Sequence, residues 1–118
     1  MLFRSKDVVF PVVEYAPHAA DLGMSFYTGK MFPAKYQGGV FAAEHGSWNR
    51  TKPIGARIMY TAVKPDGSVG ETEVFAEGWL QGEQAWGRLV DVEVMRDGSL
   101  LVSDDAAGAV YRVVYGKR

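Results

Sequence analysis

The stretch Leu89-Val90-Asp91-Val92-Glu93-Val94, followed by Arg96-Asp97-Gly98-Ser99 and then Leu100-Leu101-Val102-Ser103, decides the fold. Val90, Val92 and Val94 alternate with Leu89, Asp91 and Glu93, the period-two pattern of a strand with one buried face. The Asp-Gly-Ser turn then reverses the chain into a second apolar run. A third strand over 109–115 follows the Ala106-Ala107-Gly108 turn, which completes an antiparallel meander.

Upstream the plan is repeated. Strands are predicted over 24–28, 40–44, 57–64 and 72–77, with Pro65-Asp66-Gly67-Ser68 turning between the last two. That turn echoes Arg96-Asp97-Gly98-Ser99, although the two fall at different places in their meanders. Four strands followed by three predict an all-β chain of about two propeller blades, one complete (about 18–78) and one incomplete (about 86–116), within one partial domain over 1–118. Closed propellers have about four to eight blades and often borrow a strand to close the ring. A pair of blades would leave sheet faces and a strand edge open, so either self-association through the blade faces or poor stability is expected.

Composition narrows the function classes. Thirteen basic against fourteen acidic residues give a net charge of -1, with no general attraction for nucleic acid or an anionic membrane. There is no cysteine, which rules out disulfides and thiolate metal sites and leaves the compartment open. No run reaches the roughly 18 to 20 apolar residues that span a bilayer, and the apolar segment from Val8 to Val13 is broken by Pro11. It does not read as a signal peptide either, so the targeting signal of an exported parent would lie upstream of Met1.

Two connections are too long for tight turns: 46–56, with Ser47, Trp48, Asn49, Arg50, Thr51, Lys52 and Pro53, and 78–88, with Trp79, Gln81, Gln84, Trp86 and Arg88. Loops of this length in compact repeats are where function tends to sit. A rim shared by the two loops is geometrically allowed.

The residues from His18-Ala19-Ala20-Asp21-Leu22-Gly23 through Tyr27-Thr28-Gly29, Phe32-Pro33 and Tyr36-Gln37-Gly38 to Glu44-His45-Gly46-Ser47-Trp48-Asn49-Arg50 resemble the C-terminal part of the glucose/sorbosone dehydrogenase family. These are soluble sugar dehydrogenases that depend on pyrroloquinoline quinone (PQQ), and the resemblance is to the L-sorbosone dehydrogenase-like branch. Trp86-Gly87-Arg88, Asp97 to Asp105 and Gly108-Ala109-Val110-Tyr111-Arg112 match the last blade of such proteins, so the resemblance covers roughly 8–116. His45-Gly46-Ser47-Trp48-Asn49-Arg50 is its most specific part.

That resemblance implies a six-bladed propeller holding PQQ, with calcium, in a funnel near its axis and oxidising a sugar substrate. It also implies a periplasmic or secreted parent. The family's histidine base belongs to an earlier blade, so no catalytic residue is assigned here, and His18 and His45 stand as cofactor-shell residues. PQQ is a flat quinone with three carboxylates, which calls for guanidinium forks, planar stacking groups and amide donors. Arg50 and Arg88 supply the forks, Asn49 a donor, Trp48 or Trp86 a stacking surface and His45 an imidazole donor.

Each residue has a plainer reading beside this one. The arginines can be solvated loop charges, and Trp48, Trp79 and Trp86 can be packing between blades, which is the first expectation for Trp79. His18 can serve a structural hydrogen bond. Asp104 and Asp105 can pair on calcium or cap the turn into the last strand. No metal-ligand spacing surrounds the two histidines. Glu44, Glu83 and Asp91 are carboxylates that glycoside hydrolysis would need in a closely spaced pair, which their spacing does not provide. The chain is therefore read as part of a PQQ-dependent sugar dehydrogenase-like propeller without its base, or alternatively as a non-enzymatic assembly module.

Overall fold

The computed structural model describes residues 5–116; the two ends of the 1–118 unit, 1–4 and 117–118, lie outside them. Every strand belongs to an antiparallel sheet, and apart from 3-10 turns at Ser5–Asp7 and Ala34–Tyr36 the described residues contain no helix. The first sheet has four strands in chain order: β1 (Asp21–Phe26), β2 (Val40–Glu44), β3 (Arg57–Val63) and β4 (Val69–Ala76). A small hairpin of β5 (Leu80–Gln81) and β6 (Gln84–Ala85) follows. The second sheet has three strands: β7 (Leu89–Val94), β8 (Leu100–Asp104) and β9 (Ala109–Val113). These are the two expected meanders, and they lie face to face, with β7 packed on β1 and β2.

Between the sheets runs one core. Phe41, Ala43, Ile58 and Tyr60 from the first sheet meet Leu89, Val92, Leu100 and Val102 from the second; 41/43, 58/60 and 100/102 are spaced as period-two burial requires, whereas a register shift between Leu89 and Val92 buries Leu89 in place of the expected Val90. Phe41 is wholly buried in an aromatic cluster with Tyr27, Phe32, Tyr36, Tyr60 and Phe75 at centroid separations of 4.7 to 6.1 Å. The inner strands approach closely because Gly23 has no side chain: a Cβ there would lie 2.0 Å from Oδ1 and 2.7 Å from Cα of Asp91.

Strand parity divides the molecule into two ends. At one end the chain turns through 95–98 and 64–67, each closed by a pair of backbone hydrogen bonds of 2.7 to 2.9 Å. The two turns share one hydrogen-bond pattern: Asp66 Oδ1 accepts from the amide and hydroxyl of Ser68 at 2.9 and 2.6 Å, and Asp97 Oδ1 does the same for Ser99. The same end is locked by Tyr27, whose hydroxyl donates to Gly98 O at 2.8 Å and accepts from the Phe32 amide at 3.0 Å. At the opposite end lie the lead-in to β1, the 46–56 loop, the β5–β6 hairpin and the β8–β9 turn.

Three details depart from the sequence expectation. β1 begins at Asp21 instead of residue 24, with a register shift between Asp21 and Met24, and β4 begins at Val69 instead of 72. In both places a glycine, Gly23 or Gly70, interrupts the apolar signal that marks a strand. The β5–β6 hairpin falls where the sequence predicts a loop, since two-residue strands cannot display a period.

Candidate functional site

All seven candidate residues, His18, His45, Trp48, Asn49, Arg50, Trp86 and Arg88, lie on segments at the loop end of the strands. The two long connections therefore do share a rim. Its backbone is tied by His45 N to Ala20 O at 2.8 Å and Gly46 N to Ala19 O at 2.9 Å. Ser47 closes its own loop, its amide donating to Ile54 O at 2.8 Å while its hydroxyl accepts from Ile54 N at 2.9 Å. Backbone strain concentrates here: His18, Ala20 and Ala56 all have positive φ, at 63°, 59° and 50°. Left-handed backbone at three non-glycine residues persists only where surrounding contacts enforce it.

Arg88 joins the blades. Its Nε donates to His45 O at 3.1 Å, and its Nη2 to Gly46 O at 2.5 Å and Ser47 O at 3.4 Å. Two of its three nitrogens thus grip backbone carbonyls of the first blade. Beside it, His45 Nε2 and Asp105 Oδ1 stand 2.8 Å apart, and the Asp105 amide donates to Arg88 O at 3.2 Å. His45, Arg88 and Asp105 form one polar seam. Asp105 was weighed in the sequence only with Asp104, and a bond from residue 45 to residue 105 has no local signal.

Arg50 also makes a backbone contact, Nη1 to Pro17 O at 3.1 Å, which fastens the 46–56 loop to the lead-in next to His18. Its neighbours Trp48 and Asn49 face outward, with Trp48 81% exposed. On the other loop, Trp86 stays half exposed, its indole N–H donating to Gly78 O at 2.8 Å, and its ring lies 6.2 Å from Trp79 and 6.4 Å from Tyr111. Trp79 packs against the core as expected.

Asp104 is the capping residue. Its Oδ1 accepts from the amides of Arg88, Ala106 and Ala107 at 2.9 to 3.0 Å and its Oδ2 from Tyr111 at 2.7 Å. Burial disfavours its charge, but the hydrogen bonds from Ala107, Tyr111, Arg88 and Ala106 outweigh that and hold its carboxyl below the usual range. The Tyr111 hydroxyl is raised in turn, chiefly by this bond. With Asp104 saturated and Asp105 facing His45, the pair does not present a calcium cradle. No group of three or more His, Cys, Asp or Glu converges among the described residues.

The other carboxylates are scattered. Glu44 is buried beside Arg57, Glu83 is exposed in the hairpin, and Asp91 lies at the Gly23 contact, where its Oδ1 accepts from the Val92 amide at 2.8 Å. No two of them form a hydrolytic pair in one cleft.

No protein-family model matches the chain. An uncharacterized protein of Borreliella burgdorferi is 38% identical over 108 residues, 90% of this chain, and the chain spans only 28% of that relative's length. Among solved structures, the PQQ domain of pyranose dehydrogenase from Coprinopsis cinerea, in its holo form, superposes with a TM-score of 0.69 at 22% identity, over 93% of this chain and 30% of that one. A Trichoderma reesei protein of Carbohydrate-Active Enzymes family AA12 superposes in its iodide and calcium structures with a TM-score of 0.66 at 20% identity, over 80% of this chain and 24% of that one. The fold is accordingly that of a β-propeller: this chain makes one four-stranded and one three-stranded blade.

Proposed function

We propose that the chain is part of a PQQ-dependent β-propeller oxidoreductase and contributes one sector of the cofactor's surroundings, at the rim that carries the 46–56 and 78–88 loops. The observation behind this reading is that the cation, amide and planar groups called for by a flat tricarboxylate all fall on one end of the strands. The donor set fits the group. Trp48, Asn49 and Arg50 are exposed on one loop and Trp86 faces out from the other, so these four would meet the cofactor. His18, at the positive-φ lead-in that Arg50 fastens, would border it. Arg88 and His45 would act behind them, fixing the loop by their bonds to its carbonyls and to Asp105. Bound quinone supplies a hydride acceptor for a sugar's C–H bond, while this chain's residues hold and orient it. The base that takes the hydroxyl proton is assigned to none of them. A sugar or aldose is the proposed substrate class of the parent, and its proposed location is periplasmic or secreted.

Calcium fits this sector poorly, because its nearest acidic pair is already committed to the Asp104 cap and the His45–Asp105 contact. Titration with PQQ, followed by quenching of tryptophan emission, tests the reading. Saturable quenching that is weakened at least tenfold by Arg50→Ala and by Trp48→Ala is expected. Quenching that neither change affects would overturn the assignment of these residues.

One observation favours a second reading, self-association as an assembly module: Leu22, Met24 and Phe26 on β1 are more than half exposed. A sedimentation mass above that of one chain, lowered by Met24→Ser, with no response to PQQ, would select it.

A further inference from the structure

The two blades end their second strand on an acid and treat it differently. Glu44 closes β2 and Asp104 closes β8, at 0% and 3% exposure. The surroundings correspond strand by strand. Asp21, the first residue of β1, stands opposite Glu44, and Leu89, the first residue of β7, stands opposite Asp104. Both pairings shift register over the next three residues, at Asp21/Met24 and at Leu89/Val92.

Asp104 has a donor on each oxygen. Glu44 has Arg57 on Oε2, Nε to oxygen 2.6 Å, while its Oε1 is buried with no donor among the described residues. Oδ1 of Asp21 is likewise buried without one. Where the second blade has leucine, then, the first sets another carboxyl group opposite its buried acid, and each of the two is left with an orphaned oxygen. Orphaned buried oxygens are costly, and two like charges in one desolvated site more so. A single proton between them removes both penalties, since a carboxylic acid donates to a carboxylate.

We propose that Asp21 and Glu44 hold one proton between them, and that the stability of the first blade depends on pH through it. The groups around it come from every element that meets there: Asp21 on β1, Glu44 on β2, Arg57 on β3 and Tyr15 from the lead-in, with Glu77 lining the cleft beside Arg57. Arg57 binds Glu44, so the proton resides with Asp21. Burial first, then the charge of Glu44 and the hydrogen bond with it, lift the Asp21 carboxyl from 3.8 to about 6, against its own backbone hydrogen bond and Arg57. The Tyr15 hydroxyl is raised by burial, with a hydrogen bond to Thr61 opposing and the charges of Asp21 and Glu44 adding to the rise. Tyr15 therefore senses the same pair while lining, with Pro11, Val12 and Val13, the apolar cavity on this face.

The sign follows from the raised value. The folded chain holds this proton more tightly than the unfolded chain, so the stabilisation is full below the ordinary aspartate range and is lost as pH rises through about 6. Above that, two charges face one arginine.

Carboxyl carbon shifts followed by NMR across pH 3 to 9 on the whole chain test this. Asp21 is expected to titrate near 6, and in Glu44→Gln at a clearly lower pH that still lies above the ordinary aspartate value, because burial continues to oppose its charge. An Asp21 midpoint near 4 in the parent chain, or one that Glu44→Gln leaves unmoved, would sink the proposal. Thermal melts of Asp21→Asn supply a second reading that does not need the Glu44 variant to fold. The parent's Tm should fall between pH 4 and pH 7, and the variant should lose most of that fall and melt a few degrees higher at pH 7.5. A slope unchanged in Asp21→Asn would also overturn it.

Discussion

The two faces of the first blade are made from the same four strands, but only one is closed. Toward the second blade, Phe41, Ala43, Ile58 and Tyr60 are sealed under Leu89, Val92, Leu100 and Val102. On the other side, Met24, Phe26, Val40, Thr61, Val63 and Val69 border a cavity of about 420 Å³ that the lead-in residues Pro11 to Val13 only partly cover. The register shows what the open face is. Met24, Phe26, Val40 and Ala42 pair around β1 and β2 as Val92, Val94, Leu100 and Val102 pair around β7 and β8, and the second set is the one packed against the first blade. The open face thus carries the same paired apolar residues as the sealed seam. The faces differ in what covers them and, at Asp21, in an acid that stands where the second blade has Leu89.

The sharpest way to break this comparison is to empty the seam. Phe41→Ala removes a wholly buried ring touching five aromatic neighbours and is expected to cost about 3–5 kcal/mol, read by chemical denaturation. A cost below about 1 kcal/mol would mean that the seam does not hold the blades together. Arg88→Ala comes next. It removes charged hydrogen bonds to His45, Gly46 and Ser47 and is expected to cost about 1.5–3 kcal/mol, with faster hydrogen exchange at the Gly46 and Asp105 amides.

Asp104→Asn sharpens the electrostatic side of the contrast. The lowered Asp104 value means that its contribution is present above the ordinary aspartate range and is lost as pH falls through the folded value below 3.8. Melts of the parent should show this acid limb and Asp104→Asn should weaken it, Asp66 and Asp97 keeping their own share, at a neutral-pH cost of about 1–3 kcal/mol. The smallest effect belongs to the open face. Met24→Ser, at a residue 60% exposed, should change the stability of a single chain by no more than about 0.5 kcal/mol, whereas Val92→Ser at the matching sealed position should cost several times as much.

How much of this could be read from the residues follows the same division. The second blade is legible because its strands are half-buried ribbons that alternate, but the register shift inside 89–94, which buries Leu89 in place of Val90, has no signal in that alternation. β2, buried along its whole length, carries no alternation, and its bounds came from the apolar run between Gly39 and His45. The start of β1 was obscured at Gly23, whose small size serves the Asp91 contact and not strand propensity. The candidate rim residues were each visible, and their convergence follows from counting strand parity. The partners of His45 and Arg88 were not visible, because they lie 41 to 60 residues away and are mostly backbone atoms. Asp21 was also passed over. The signal that would have found it is the alignment of Asp21-Leu22-Gly23-Met24 with Leu89-Val90-Asp91-Val92, in which an acid takes the place of a core leucine.

The division into a turn end and a loop end has a practical consequence. Tyr27, Gly29 and Gly98 leave no slack in the 97–99 turn at one end, where a Cβ on Gly29 would lie 2.7 Å from Gly98 Cα. At the other, the β5–β6 hairpin bends at Gly82, with φ of 63° and nothing within 4 Å of its missing Cβ. A peptide tag or fluorophore spliced in at 82–83 would extend into solvent without moving a strand. The same splice at 97–98 would push the blades apart.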